Sequence, residues 1–153
     1  MMEDHYNIKT KKKILAAVGI VWEVLLDPTY TQQWVSAFSE GEWIEAEWKK
    51  GGLVIWKDKN GEVTAKGIVR ALERNQLIQV DYFDDKDLND TNTQTGKYQE
   101  IFNLFSIEGK TLLVIEAGPL SEKDAKDHEV LWDKALEKIK SLAEADYGGG
   151  YIA

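Results

Sequence analysis

The chain of 153 residues contains no cysteine and only two histidines, His5 and His128. Without cysteine, disulfide bonds, thiolate catalysis and cysteine-ligated zinc or iron–sulfur clusters are excluded. Two imidazoles are too few for a histidine-rich metal cage, and they leave a Ser-His-Asp triad few possible members. We therefore expect no metal and no cofactor, and we expect His128 to be a packing residue with satisfied hydrogen bonds.

The sequence also lacks a long apolar run and an excess of positive charge. No stretch approaches the ~20 apolar residues of a membrane span, and the first residues are acidic where a signal peptide is basic. We therefore expect a cytoplasmic protein without a membrane span. The formal net charge of -8 repels phosphate backbones. The one basic run, at residues 11–13, has no aromatic stacking platform beside it, so we expect no nucleic-acid partner.

Length and even composition predict one domain over residues 1–147 with a single core. Three consecutive glycines then favour a flexible tail over residues 148–153, because glycine maximises backbone entropy. At the other end, residues 6–15 mix β-branched, aromatic and long polar side chains, which predicts a first strand.

Two short helices are predicted next. Apolar residues recur at i, i+3, i+4 and i+7 between Val18 and Leu25, as on one face of a helix. This helix should end at Asp27, because Pro28 disfavours α geometry in the residue before it. Asp27 can then cap the amino end of a second helix that has Pro28 in its first position.

From residue 42 to residue 117 the apolar pattern changes to period two and is interrupted by turn signals. The interruptions leave six strands, and the short connections between them predict an antiparallel meander. Asn60-Gly61 is the strongest single hairpin signal, because both residues tolerate positive φ.

A long helix is predicted over residues 121–146. Ser121 with Asp124 three residues later resembles a capping box, and Gly148 supplies a stop. A continuous apolar stripe follows the helical period through His128, Leu131, Trp132, Ala135, Leu136, Ile139, Leu142 and Ala143.

Distinctive local sequences accompany this order of elements. They are Val21-Trp22-Glu23-Val24-Leu25-Leu26-Asp27-Pro28 followed by Trp34, then Lys50-Gly51-Gly52, Gly67-Ile68-Val69, Leu77 to Tyr82, Gly109-Lys110-Thr111, and Trp132 to Leu136. The order resembles the helix-grip fold of the START-like (SRPBCC) superfamily, which includes the birch-pollen-allergen proteins. The local sequences resemble the branch of activators of heat-shock protein 90 ATPase, and the resemblance covers nearly the whole chain. It implies an α+β fold, β-α-α-β6-α, in which a curved antiparallel sheet wraps around the long C-terminal helix.

The family pattern and strand parity together predict the residues of the concave face. They are Val54, Trp56, Val63, Ala65, Gly67, Val69, Ile78, Val80, Tyr82, Tyr98, Glu100, Phe102, Leu104, Leu113 and Ile115.

Small residues between bulky ones on this face favour a cavity between the sheet and the C-terminal helix. The alternative is that aromatic neighbours fill the gap. Pockets with apolar walls and a few polar groups are the usual small-molecule sites. The candidate ligand contacts are Trp34, Trp43, Trp56, Ala65, Gly67, Val80, Tyr82, Tyr98, Phe102, Trp132 and Leu136.

Glu100 is the one candidate catalytic residue. Tyr98 and Phe102 flank it on the same face and would carry its carboxylate towards an apolar interior, where burial raises the pKa of a carboxyl group. The alternative is that a bulge turns Glu100 outward, or that a tyrosine hydroxyl or an arginine satisfies it.

The segment from Asp84 to Asp90 has acidic residues at alternate positions, as a calcium loop does. It fails the EF-hand pattern, because Asp90 stands where the turn requires glycine and Gly96 where the chelating glutamate should be. We expect a surface loop that can act as a lid over the pocket.

The predicted function is binding of a small hydrophobic or amphipathic molecule, such as a lipid, polyketide or aromatic metabolite, in the cavity. One alternative is an enzyme of the same fold, of cyclase or hydrolase type, that uses Glu100. Another, implied by the branch name, is a module that regulates a chaperone through its surface. The sequence leaves monomer and homodimer open, although an exposed strand edge offers a contact for a second copy.

Overall fold

The computed structural model describes residues 6–83 and 98–152, with side chains described as far as Ala145. The elements within these ranges follow the predicted order. The strands are β1 (Tyr6–Ile14), β2 (Trp43–Ala46), β3 (Leu53–Lys57), β4 (Val63–Glu73), β5 (Leu77–Tyr82), β6 (Gln99–Ile107) and β7 (Lys110–Leu120), and the helices are α1 (Val18–Leu26), α2 (Pro28–Val35) and α3 (Glu122–Ile152).

The seven strands of the described ranges form one antiparallel sheet in the order β1-β7-β6-β5-β4-β3-β2. Strands β2 to β7 are a simple meander, and β1 lies beside β7, so β1 and β2 form the two edges. Register shifts occur in the pairs β1–β7, β3–β4 and β4–β5. Such irregularities bend a strand and increase its twist, so they help the sheet to curve around its core. The predicted α+β helix-grip architecture is confirmed.

The junction between α1 and α2 is as predicted. Asp27 ends α1 in an extended conformation and caps α2, where its carboxylate accepts a hydrogen bond of 2.8 Å from the backbone N–H of Thr29. Pro28 occupies the first turn of α2, where its missing N–H leaves no helical bond unmade. The sharp turn sets the two helices side by side on the concave face.

Helix α3 begins as predicted, because the Ser121 hydroxyl accepts a hydrogen bond of 3.1 Å from the Asp124 N–H. Its apolar stripe faces inward, and Trp132, Leu136 and Ile139 are fully buried. The predicted stop at Gly148 is wrong, because α3 continues to Ile152. Glycine lowers helix stability by about 1 kcal/mol relative to alanine, but it keeps its N–H and does not end a helix by itself. The flexibility of residues 148–153 stays a prediction.

Helix α3 runs along β1, and polar contacts join them on the outside. Thr10 donates a hydrogen bond to Asp133, and Lys12 forms an ion pair with Glu137. Consequently α3 lies over the β1–β7 side of the sheet, while α2 packs against β2 at the opposite edge.

No helix in the described part of the chain is long and apolar enough to cross a membrane. The segment from Asp84 to Asp90, for which we predict a surface loop and lid, lies outside the described residues.

Candidate functional site

The side chains of Trp56 on β3 and Tyr82 on β5 meet although β4 runs between their strands. The Trp56 indole N–H donates a hydrogen bond of 3.0 Å to the Tyr82 hydroxyl. Alternate strands lie about 9.6 Å apart, so this contact must pass over the intervening strand. The β4 residues paired with these positions are Ala65, opposite Trp56, and Gly67, opposite Tyr82. Their small size leaves room for the two aromatic side chains to meet.

Gly67 is small for a second reason, which is the close approach of β5. A Cβ atom at Gly67 would lie 2.8 Å from the carbonyl oxygen of Asp81 and 2.9 Å from Cγ1 of Val80. Real Cβ atoms do not approach a backbone oxygen so closely. The neighbouring strand and Tyr82 therefore leave no room for a side chain at position 67, and a ligand contact at Gly67 stays a prediction.

Glu100 on β6 points inward and is 7 % exposed. Its carboxylate accepts hydrogen bonds from the Tyr82 hydroxyl, at 3.1 Å, and from the Tyr98 hydroxyl, at 2.8 Å. Burial raises the pKa of Glu100 to about 7, although both hydrogen bonds act in the opposite direction. Tyrosine hydroxyls therefore satisfy the Glu100 carboxylate, which is one of the alternatives predicted from the sequence.

The two tyrosines that serve Glu100 remain neutral. Burial, and then the negative charge of Glu100, raise the pKa of both Tyr82 and Tyr98 well above the usual value. A neutral hydroxyl keeps its proton, so both residues stay available as donors to the carboxylate.

The chain of polar groups continues from Tyr98 towards α3. The His128 Nδ1 atom lies 3.5 Å from the Tyr98 hydroxyl, at the limit of hydrogen bonding, and the two rings meet edge to face. His128 is half-buried, and burial lowers its pKa against the opposing effect of Asp124 and Asp127. The indole N–H of the buried Trp132 has no hydrogen-bond partner of normal geometry. Its proximity acts to lower the pKa of Tyr98, but burial and the charge of Glu100 outweigh this effect.

A pocket opens beside Trp56, Tyr82 and Glu100, between the sheet and the two short helices. Nine of its wall residues are buried, and three at its mouth, Leu26, Ile44 and Trp48, are half-buried. The described wall residues are Leu25, Leu26, Trp34, Ile44, Trp48, Val54, Trp56, Ile78, Val80, Tyr82, Glu100 and Phe102.

The pocket is small. Its cavity of about 20 Å³ can hold about one water molecule. Small-molecule sites usually offer about 300–1,000 Å³. A larger ligand can therefore enter only if side chains at the mouth move.

The structure brings together some of the predicted ligand contacts and separates the others. Those in the pocket wall are Trp34, Trp56, Val80, Tyr82 and Phe102, and those outside it are Trp43, Ala65, Gly67, Tyr98, Trp132 and Leu136. Trp43 lies outside because its neighbour Ile44 pairs with Trp56 and so occupies the inner face of β2. Trp43 therefore projects from the opposite face, where its indole N–H donates to Glu45.

None of the α3 side chains described, which extend to Ala145, lies in the pocket wall. The space between α3 and the sheet is filled by an aromatic cluster, in which the Trp132 ring lies 4.8 Å from that of Phe38, 5.5 Å from that of Phe102 and 6.2 Å from that of Trp34. Aromatic side chains thus occupy the space between α3 and the sheet, as in the alternative to a cavity that the sequence also allowed. The pocket lies beside α1 and α2, and a ligand cavity between the sheet and α3 stays a prediction.

The prediction missed several wall residues. Leu25, Val54 and Ile78 could have been found from the apolar periodicity of the sequence, since each lies on a face that is predicted to point inward. Leu26, Ile44 and Trp48 could be recognised only from the packing of α1 and of the β2–β3 hairpin. The buried Glu42 was missed as well. It accepts a hydrogen bond of 2.9 Å from the Thr64 hydroxyl, and burial raises its pKa, but it lies outside the wall.

The chemical capacity of the site follows from these groups. Among the described residues, no cluster of three or more acidic or histidine side chains could hold a metal ion. Glu100 is the one ionisable carboxyl group in a wall that is otherwise apolar apart from Tyr82 and the tryptophan N–H groups. With a pKa near neutrality, it can either accept a charged partner or exchange a proton.

Solved structures with similar folds come from several bacteria. The solution structure of ChR145 from Cytophaga hutchinsonii is 21% identical and has a TM-score of 0.69, with 95% of this chain and 98% of that chain covered. The AHSA1-like protein from Aeromonas hydrophila is 16% identical with a TM-score of 0.70, and the coverages are 92% and 94%. DynU16, a protein in the dynemicin biosynthetic locus, is 13% identical with a TM-score of 0.69, and the coverages are 92% and 48%. At these identities the likeness shows the fold.

No curated protein sequence matches the chain. The sequence profile of one family, described as Activator of Hsp90 ATPase homolog 1-like protein, matches residues 16–144. This match spans both short helices, strands β2 to β7 and most of α3. The chain therefore belongs to the family of Activator of Hsp90 ATPase homolog 1-like proteins.

Proposed function

We propose that the protein binds a small amphipathic molecule in the pocket between the sheet and helices α1 and α2. The observation that carries the proposal is an inward-facing wall of apolar side chains with one buried carboxyl group, that of Glu100. An apolar wall with a few oriented polar groups is the usual composition of a small-molecule site. The ligand classes predicted from the sequence, a lipid, polyketide or aromatic metabolite, fit an apolar wall of this kind.

The small cavity requires that the mouth opens when the ligand enters. The mouth residues Ile44 and Trp48 belong to β2 and to its connection with β3. Strand β2 is an edge strand and pairs with β3 alone. An edge hairpin has fewer stabilising contacts than the centre of a sheet, so it is the part of the wall that can move at the lowest free-energy cost.

Blocking the mouth tests the proposal. In Ile44→Trp the larger side chain fills the mouth, whereas in Ile55→Trp the same side chain is added on the outer face of β3, outside the wall. Ligand-observed NMR with hexanol should show binding to the wild type and to Ile55→Trp, and at least ~10-fold weaker binding to Ile44→Trp. Equal binding by the two variants would place the site elsewhere.

DynU16 has a similar fold and lies in a biosynthetic locus. This likeness is consistent with small-molecule chemistry on such a fold, and it leaves the ligand of the present chain undefined.

A second candidate function is catalysis with Glu100 as a general acid or base. The observation that favours it is the position of a carboxyl group with a pKa of about 7 in the pocket wall. A catalytic role predicts that Glu100→Gln still binds ligand but no longer converts it. Unchanged turnover in that variant would remove the catalytic role.

The family description also names activation of the Hsp90 ATPase. We expect this activity not to transfer, because a shared fold carries over more safely than a function. The test is the ATPase rate of the Hsp90 from the same cell with and without the purified protein, and a clear increase would contradict the expectation.

A further inference from the structure

The side-chain hydrogen-bond donors inside the pocket are already in use. The Trp56 N–H donates to Tyr82, and the Tyr82 O–H donates to Glu100. The Trp34 N–H donates to the carbonyl oxygen of Val24 at 2.8 Å. The remaining wall tryptophan, Trp48, lies at the half-buried mouth. When Glu100 is ionised, a ligand that reaches the buried part of the wall therefore meets no free side-chain donor among the described residues.

Acceptor capacity is left over at the same place. An ionised carboxylate offers about four lone-pair positions. Glu100 uses one for Tyr82 and one for Tyr98. About two positions therefore remain on Glu100, and one lone pair remains on the Tyr82 oxygen, which already accepts from Trp56. The unsatisfied capacity of the buried wall is thus entirely acceptor, and it carries negative charge when Glu100 is ionised.

We propose that the ligand presents an ammonium group, or another strong donor, to Glu100 and places an apolar body against the surrounding wall. This inference rests on the proposed function and specifies its ligand class as a small alkyl or arylalkyl amine. A cationic donor forms charge-assisted hydrogen bonds with the carboxylate, and these are the stronger kind. A ligand carboxylate would instead be repelled by Glu100, and a ligand with only acceptors would be buried without partners.

Among the buried carboxyl groups, Glu100 lies in the pocket wall and Glu42 does not. Glu42 is also buried and also accepts a hydrogen bond, from Thr64, but it lies outside the pocket wall. It therefore provides a matched control, because removing its charge changes the local potential without changing the groups that the ligand touches.

The test compares hexylamine, hexanol and hexanoate, which share one apolar chain and differ in the end group. Binding is measured by NMR titration at about pH 8.5, where Glu100 is mostly ionised because burial raises its pKa only to about 7. Hexylamine should bind about 10-fold more tightly than hexanol, as one charge-assisted hydrogen bond predicts, and hexanoate should bind most weakly. In Glu100→Gln the ratio of hexylamine to hexanol should fall below about 3-fold, and in Glu42→Gln it should not change.

Each contrary result has its own meaning. Hexanoate binding as tightly as hexylamine, or Glu100→Gln keeping the preference for the amine, would overturn the inference and leave the proposed function standing. Failure of all three compounds to bind the wild type would overturn both. The comparison among the three compounds uses the wild-type protein, so it decides the question even if Glu100→Gln does not fold.

Discussion

The Trp56 indole N–H and the Tyr82 hydroxyl are joined by a hydrogen bond of 3.0 Å that passes over strand β4. Tyr82 in turn donates to Glu100, so one buried hydroxyl links residues of β3, β5 and β6. The link explains why a carboxylate is tolerated in an apolar wall, since each buried polar group in it has a partner. The Tyr82 hydroxyl is thus both the acceptor for the Trp56 N–H and a donor to Glu100.

Replacement of Tyr82 by Phe should destabilise the protein. The change leaves the Trp56 N–H buried without an acceptor and removes one of the two tyrosine donors to Glu100. We expect the free energy of unfolding to fall by about 1–3 kcal/mol in urea denaturation. The exposed Tyr6 provides the control, since Tyr6→Phe should stay within about 0.5 kcal/mol of the wild type. Equal stability of the two variants would show that the link contributes nothing.

The two glycines Gly67 and Gly19 should respond in opposite directions to alanine. At Gly67 the new Cβ would clash with the Asp81 carbonyl oxygen, so Gly67→Ala should cost about 1–3 kcal/mol. At Gly19, in α1, nothing lies within 4 Å of the new Cβ, and Gly19→Ala should stabilise the helix by about 0.5–1 kcal/mol. Thermal midpoints measure both effects. A neutral Gly67→Ala would mean that β5 can move away from β4, which reopens the predicted space.

The inward faces of the central strands were predictable from the sequence, because the period-two pattern fixes which residues share a face. Val54, Trp56, Ile78 and Val80 are inward and buried as predicted. The fold was predictable for the same reason, since alternating strands, turn signals and the long helical stripe agree with one another.

The position of the pocket was not predictable in this way. Nothing local says that α3 packs along β1 or that Trp132 fills the space beneath it, because both depend on contacts distant in sequence. On β2, the choice between Trp43 and Ile44 depends on register, and a shift of one residue exchanges the two faces. Ala65 could not be interpreted from the sequence for a similar reason. A small residue at this position leaves room either for a ligand or for the contact between Trp56 and Tyr82, and the sequence pattern is the same in both cases.

The pKa of Glu100 has a consequence for stability. The folded protein holds this proton up to about pH 7, whereas an unfolded glutamate releases it near its ordinary value of 4.5. The contribution to stability is therefore complete below about pH 4.5, decreases as the pH rises, and is lost above about pH 7, with a total change of about 3 kcal/mol.

The difference in unfolding free energy between wild type and Glu100→Gln isolates this effect from the titration of Glu42 and His128. Urea denaturation from about pH 4.5 to 8 should show the wild type losing stability relative to the variant by up to about 3 kcal/mol. The exposed Glu129 serves as the control, and Glu129→Gln should follow the wild type throughout. A constant difference for Glu100→Gln would mean that Glu100 titrates at its ordinary value.

Leu136 tests the packing of α3. Its side chain is fully buried at the centre of the helical stripe, so Leu136→Ala should lower the free energy of unfolding by about 2–5 kcal/mol through lost burial and a new cavity. Val130 on the same helix is 56% exposed, and Val130→Ala should change little. An unchanged thermal midpoint in Leu136→Ala would remove Leu136 from the core.

The most direct test of the pocket is a titration of the wild-type protein with hexylamine, followed in the methyl region of ¹H–¹³C NMR spectra. We expect saturable shifts for the methyl groups of Val54, Ile78 and Val80, which line the pocket. Ile14 and Leu113 are buried in the same core but lie outside the wall, so their methyl groups should not shift. Shifts at Ile14 and Leu113 instead, or no methyl response at any concentration, would contradict binding in this pocket.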